Sequence, residues 1–303
     1  MMKKYELTTE RKTADTYQVH RIRYMRDIPH AGIKAGMMGG FLENEENLSH
    51  EDDCVVLDEA VVCGGAKVLD YAVVSDSALI TNKSIVKNQA SVSGTSVVRK
   101  SKVFVNARIE GKSIIQEDSR IYGNAHVSDT KTKGEVSIFD NAVVLSTVLD
   151  GLIDVKGSAE VRHSRIQGMG IVFMDNAFVK ETKMKNVQSV QINDSATVTF
   201  CTFEGCSKVR IQGDAKLTGV LKPRLSISGS LIDISGNVRI DGNSLLVGDN
   251  IFLTDNASVI GTVRIGDNVK LSEIAIVENR ELHEMFVSNI QLSMDNLLVQ
   301  EET

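Results

Sequence analysis

The sequence predicts an all-β chain wound as a single-stranded parallel β-helix, and three observations carry that reading. Small residues fall at every sixth position: Cys54, Ala60, Ala66, Ala72, Ala78, Ser84, Ala90 and Ser96. A β-branched residue follows each by two, at Val56, Val62, Val68, Val74, Ile80, Val86, Val92 and Val98. Two residues further on come Asp58, Gly64, Asp70, Asp76, Asn82, Asn88 and Gly94, the types that best tolerate a tight turn. Six residues cannot close a core, whereas three such units make a triangular coil of about 18 residues that stacks about 4.8 Å from the next. The aliphatic and the small residue then point inward, and the third class forms the corners.

Taken in order, residues 1–50 break the pattern and are assigned to an N-terminal β cap subdomain, because an open coil is an unpaired strand edge that invites polymerisation. Residues 51–279 form the β-helix. Its regular hexads run over 54–129, with one step of five between Ser96 and Ser101 where a turn residue is deleted. Ser101 is partnered by Val103, and the period resumes at Ala107, Ser113, Ser119 and Ala125, partnered by Ile109, Ile115, Ile121 and Val127. Over 135–279 the hexads loosen into a longer theme, first as Val136-Ile138-Asp140-Ala142-Val144, with further copies starting at 153, 171, 190 and 209. Each start follows the last by close to three hexads, so each copy lies above the last on one face. Relaxed copies start at Ile232, Leu245 and Val263.

Two interruptions read as loops leaving the coils: 130–134, and 218–230 around Pro223. Lys131, Lys133, Lys222 and Arg224 are therefore candidate recognition residues. Residues 280–303, with Leu282, Met285, Phe286, Ile290, Leu292, Leu297 and Leu298, are apolar enough to cap the last coil or to pack on a second chain. About a dozen coils at 4.8 Å each predict a rod of roughly 55–60 Å.

Composition agrees with a narrow interior of stacked aliphatics. The 303 residues include no Trp, two Pro and 5% aromatics against 42% hydrophobics, too few large rings to fill a wide core. Charged residues at 24% and a net charge of -6 argue against disorder and against a general nucleic-acid binder. There is no run of about 18 apolar residues, and the start, MMKKYELTTERK, has no apolar core of a signal peptide, so the expected location is cytoplasmic. Residues 1–26 hold seven Lys or Arg against three acids, a local +4 read as a solvated edge of the cap. Cys54, Cys63, Cys201 and Cys206 form no CxxC pair and no His cluster accompanies them, so no metal is expected and the thiols are read as reduced.

The aliphatic residue followed four positions later by Ala or Ser, as in Val62 to Ala66 and Val68 to Ala72, resembles the hexapeptide-repeat family of left-handed β-helices. The resemblance spans about 54–277 and implies the left-handed twist, which spacing alone does not give. Many members of that family are acyltransferases that use acetyl-CoA or acyl carrier protein, typically as homotrimers. The head, Ile33-Lys34-Ala35-Gly36-Met37-Met38-Gly39-Gly40-Phe41-Leu42-Glu43 and then Glu46-Asn47-Leu48-Ser49, looks like that of bacterial and prophage-encoded proteins whose enterobacterial members are labelled acetyltransferases. No Walker-type Lys-Ser/Thr follows Gly36, Gly39 and Gly40, so they are read as turn glycines and not as a phosphate loop.

An acyltransferase of this architecture needs a general base, and His is the usual choice. His126 is the best placed of six, because it lies between inward Ala125 and Val127 and so faces outward, with Asp129 near in sequence. His163, two residues after inward Val161, is inward or at a corner. The later coils carry Lys183, Lys185, Lys208, Lys216, Lys222 and Arg224 without an evident pantetheine groove. The expectation is therefore a non-catalytic scaffold that binds a protein partner and self-associates as a dimer or trimer, needs no cofactor, and is encoded by a phage or prophage and directed at a host defence protein. The alternative is a CoA-dependent acetyltransferase with His126 at trimer interfaces.

Overall fold

In the computed structural model, the described residues are 3–163, 171–173, 176, 178–180, 183–185, 189–193, 195, 197–199, 201–204, 207–218, 225–228, 230–242, 245–247, 249–281 and 283–300. The chain is a parallel β-solenoid of coils about 18 residues apart. It divides into two compact units, Met1–Leu145 and Ser146–Thr303. Pro223, Lys222 and Arg224 lie outside the described residues.

In the first unit each coil contributes one short strand to each of three faces. Face A stacks Val61–Val62, Leu79–Thr81, Val97–Arg99, Ile114–Ile115 and Lys131–Lys133. Face B stacks Val55–Val56, Val73–Val74, Ser91–Val92, Arg108–Glu110, His126–Ser128 and Val143–Leu145. Face C stacks Lys67–Val68, Ile85–Val86, Lys102–Val103, Arg120–Ile121 and Val136–Ile138. The chain runs B, A, C and back to B. All the inward residues predicted over 54–127 are buried, each at 0% exposure except Ser101 at 2%. The seven predicted corner residues all take the left-handed backbone, with φ from 53° at Asn82 to 71° at Gly94. A left-handed conformation is cheap for Gly and accessible to Asn and Asp, which is why those types punctuate the repeat. Corner carboxylates also bind the next coil: Asp70 Oδ2 accepts from the Asn88 backbone N–H at 2.9 Å and from Asn88 Nδ2 at 2.8 Å.

The deletion between Ser96 and Ser101 falls at the corner from A to C. Arg99 pairs with Thr81 before it and Lys102 with Ile85 after it, so the offset between the two coils drops by one across the corner. Lys100 alone, at φ 47°, turns the corner that Asn82 and Lys83 turn one coil earlier.

The first coil presents its backbone carbonyls to no earlier coil, and the cap supplies their donors. Here β1 (Tyr5–Ala14) and β2 (Tyr17–Tyr24) form an antiparallel hairpin, and β3 (Met38–Leu42) runs antiparallel to β2 but parallel to Val61–Val62. The sheet thus changes from antiparallel to parallel across β3 and continues into face A. The Phe41 and Glu43 amides donate to Ala60 O and Val62 O at 2.8 and 3.1 Å, and Ser49 N to Val68 O at 3.1 Å. Side chains complete the ring: Lys4 Nζ to Cys54 O at 2.8 Å, the Tyr24 hydroxyl to Val56 O at 3.0 Å, and Asn47 Nδ2 to Ala66 O at 2.8 Å. This is the covering that an exposed strand edge requires. Lys4 is fully buried, and its ammonium also reaches Asp52 O at 2.7 Å and Cys54 Sγ at 3.3 Å.

Two local expectations are corrected. Gly39 and Gly40 are not turn residues; they lie within β3, where a Cβ on Gly40 would stand 2.5 Å from Ala60 O and one on Gly39 2.7 Å from the Ile22 and Tyr24 side chains. Residues 130–134 are no loop. Asp129 makes the corner at φ 50°, and Thr130 and Thr132 occupy the small and β-branched inward places, so Lys131–Lys133 is a strand of face A. The buried Thr132 hydroxyl is satisfied, accepting from Gln116 N at 3.0 Å and meeting Ser119 Oγ at 3.0 Å. Beyond these, a satellite core that the repeat does not announce lies outside face A, where Val19, Phe41, Val61 and Cys63 pack with Tyr17 and Leu79.

The second unit repeats the coil. Ile153, Ile171, Val190, Val209 and Ile232 stack in register on one face, as the starts of the longer theme predict. The copy at 245 is out by one, since Leu246 is inward and pairs with Ile265. The C-terminal segment continues the solenoid. Met285–Val287, Ile290–Leu292 and Leu297–Gln300 pair in parallel with Val263–Ile265, Val269–Leu271 and Ile276–Asn279, with Met285 and Val287 buried and Phe286, Met294 and Leu297 exposed.

Candidate functional site

The corner from face C to face B of the first unit gathers the most unusual surface chemistry. In-register coils place equivalent residues of successive turns side by side, so Phe104, Tyr122 and Phe139 form an outward stack. Their ring centroids are 4.9 and 4.8 Å apart with interplanar angles of 5° and 1°, close to the spacing of the coils themselves. The Lys87 ammonium lies 5.9 Å from the Phe104 centroid. Beside the rings runs an amide ladder: Asn106 Nδ2 donates to Asn124 Oδ1 at 2.9 Å, and Asn124 Nδ2 to Asn141 Oδ1 at 3.0 Å. On the earlier coils of the same corner lies an open hollow of about 570 Å³, lined by Asp52, Asp70, Tyr71, Asn88, Gln89, Val105 and Asn106. Tyr71 is 55% exposed and Val105 40%. Val105 also holds a left-handed φ of 66°, where Asp70 and Asn88 stand on the two preceding coils. A β-branched residue at such an angle is strained.

Around this corner, on face B, stands His126. It is outward as expected, opposite Arg108 on the preceding strand, and its Nε2 lies 2.8 Å from Glu110 Oε1. Arg108 Nε donates to Glu110 Oε2 at 2.9 Å. The His126 hydrogen bond, followed by the Arg108 charge, holds the Glu110 carboxyl below its ordinary range. The carboxylate that pairs with His126 is thus Glu110, not the sequence neighbour Asp129, whose Oδ1 accepts from Lys112 N at 2.9 Å at the next corner. The signal that identifies Glu110 is a separation of one coil less a diagonal step of two, since His126 faces Arg108 and Glu110 follows Arg108 on the same outward side. A His–carboxylate pair on an open face can accept a proton from a hydroxyl or amine placed against it.

The other expected residues do not join this site. Lys131 and Lys133 point outward from face A. His163 sits at a corner with φ 52°. The basic segment at the N-terminus is largely neutralised within the cap: Lys3 pairs with Glu45, Lys12 with Glu59, Arg21 with Glu10 and Glu59, Arg23 with Glu6, and Arg26 with Asp53. Among the described residues no three His, Cys, Asp or Glu side chains are grouped to hold a metal ion, and Cys54 and Cys63 are free buried thiols. Among the described residues no helix is long and apolar enough to cross a membrane. Compared with protein-family models and with curated proteins, the chain matches no family and no protein.

Proposed function

We propose that the protein is a non-catalytic recognition scaffold whose partner is another protein, gripped along the corner from face C to face B of the first unit. The observation that carries this reading is the outward stack of Phe104, Tyr122 and Phe139. In a chain with 5% aromatics and no Trp, three rings stacked on the outside of a coil cannot serve the interior. Aromatic side chains flanked by amides are what protein interfaces enrich at their centres. A rigid solenoid loses little conformational entropy when such a ridge is covered.

The test is a defined one. The partner is first identified by affinity capture and mass spectrometry, then purified and titrated against wild type and the Phe104→Ser/Tyr122→Ser/Phe139→Ser variant. The expected result is a loss of affinity of at least tenfold at an unchanged unfolding temperature. Equal binding by the variant removes the ridge from the reading.

A second reading rests on the pair His126 and Glu110: a CoA-dependent acyltransferase in which His126 is the general base and Glu110 orients it. It requires acetyl-CoA binding at micromolar strength by calorimetry and acetyl transfer that His126→Ala abolishes. With neither seen, the pair is a surface ion pair.

A further inference from the structure

At the other edge of face C, the corner from A to C, Lys83, Lys100, Lys102 and Arg120 surround a hollow of about 280 Å³ whose lining also includes Ser101, Ser119 and Asp118. We propose that this corner binds a compact oligophosphate, either inorganic or as a diphosphate ester, an activity separate from the protein-binding reading above. Three independent features point there.

The first is uncompensated charge. Four cations face two carboxylates, Asp118 and the adjoining Glu117, and both act on Lys100, whose Nζ is 2.7 Å from Asp118. Of the three arginines in the coils of the first unit, Arg99 pairs with Asp15 and Arg108 with Glu110; among the described residues Arg120 has no carboxylate partner, and neither do Lys83 and Lys102. The second feature is register. Lys102 and Arg120 are directly opposite on adjacent strands. Like charges opposite one another in a sheet are unfavourable unless an anion lies between them. Ile85 and Ser137, which flank the pair in the same column, do not neutralise it.

The third feature is backbone strain. Lys83 and Lys100 hold φ of 60° and 47°, left-handed values that most other corners of the unit give to Asp, Asn or Gly. A Lys there is disfavoured by its own backbone, and strain of this kind collects at functional positions. Both residues line the one hollow.

The chemistry of the hollow selects the ligand. Lys supplies mobile point charges and Arg120 a planar fork, the pair of devices that holds phosphate oxygens. Lys83, Lys102 and Arg120, the three cations left without a carboxylate partner, are matched more closely by two linked phosphates than by one. An extended nucleic acid fits poorly, because no aromatic ring lines the hollow for base stacking and the chain carries a net charge of -6.

The experiment is isothermal titration of the full chain at low and at physiological salt with pyrophosphate, ADP, inorganic phosphate and sulfate. The expected result is one saturable site for pyrophosphate, at least tenfold tighter than for phosphate or sulfate. Lys102→Gln/Arg120→Gln is expected to weaken it at least tenfold, while Lys131→Gln/Lys133→Gln on face A leaves it unchanged. Removing the opposed pair relieves repulsion, so the first variant unfolds at the wild-type temperature or above, which keeps folding out of the comparison. ADP as tight as pyrophosphate identifies an esterified ligand; pyrophosphate alone identifies an inorganic one. No saturable site, equal affinity for sulfate, or equal losses in both variants overturns the proposal.

Discussion

Replacing Lys4 by Met keeps most of the aliphatic stem but removes the ammonium that closes the carbonyl edge of the first coil. The lost interactions are bonds to Asp52 O at 2.7 Å, Cys54 O at 2.8 Å and Cys54 Sγ at 3.3 Å. A hydrogen bond from a charged donor contributes about 1.5–3 kcal/mol, and a carbonyl left buried without a partner costs about 1–3 kcal/mol. Two carbonyls thus set a gross loss of about 3–6 kcal/mol, using the charged-donor figure alone. Against this, the wild type carries the cost of burying a charge, which also lowers the Lys4 pKa from its ordinary value. Met recovers part of it, leaving a net loss of about 2–4 kcal/mol, or a fall of about 5–15 °C in the unfolding temperature of a unit this size. Differential scanning calorimetry of Lys4→Met beside Lys3→Met, whose pair with Glu45 is largely exposed, reads the difference. Light scattering of the same samples reads self-association through the uncovered edge. An unfolding temperature equal to that of Lys3→Met refutes the assignment of Lys4 as an edge donor.

Two further outcomes follow from the cap. Gly40→Ala would bring a Cβ to 2.5 Å from Ala60 O, across the strand pair that joins cap to coil, so a loss of about 1–3 kcal/mol is expected as a lower midpoint in urea; an unchanged midpoint refutes the close approach. Burial pushes the Tyr5 and Tyr24 hydroxyls above their ordinary pKa of 10.0. Their contribution is therefore complete below pH 10 and falls as pH climbs past it, because the unfolded chain then releases protons that the folded one keeps. Denaturation between pH 9 and 11.5 should show this slope in the wild type and a shallower one in Tyr5→Phe/Tyr24→Phe, whereas equal slopes would assign it elsewhere.

The coils were legible because one rule repeats: inward places select by volume and corners by φ, so Val62, Ala66 and Asp70 announce themselves without any distant partner. Thr130 and Thr132 escape that rule because a Thr fills a β-branched place only when its hydroxyl is satisfied, and the Ser119 that satisfies it belongs to the preceding corner. Gly39 and Gly40 mislead for a related reason. Sequence shows that a Cβ is missing, and only the coil behind it shows whether φ or space is the cause. At the candidate site, the outward direction of His126 followed from Ala125 and Val127, but its carboxylate did not. Neighbours on a solenoid surface are set by coil length, and reading Glu110 beside His126 requires the outward residues of successive coils to be set side by side. The aromatic stack was equally available from Phe104, Tyr122 and Phe139 once outward columns are written out alongside inward ones.

The direction of the ladder carries a consequence for synthesis. Val55 N donates to Ala72 O, Val73 N to Ala90 O, Ser91 N to Ala107 O and Arg108 N to Ala125 O. Each coil thus offers its amides to the coil made after it and meets its own carbonyl demand from the one made before. The cap, synthesised first, waits only for the first coil. From there each new turn docks on a finished template after closing a loop of the same short length, so the entropic cost per step does not rise as the unit grows. Folding can therefore keep pace with the ribosome, one coil at a time as each emerges, and the chain need never hold a long unpaired stretch of its aliphatic, aggregation-prone repeat in solution.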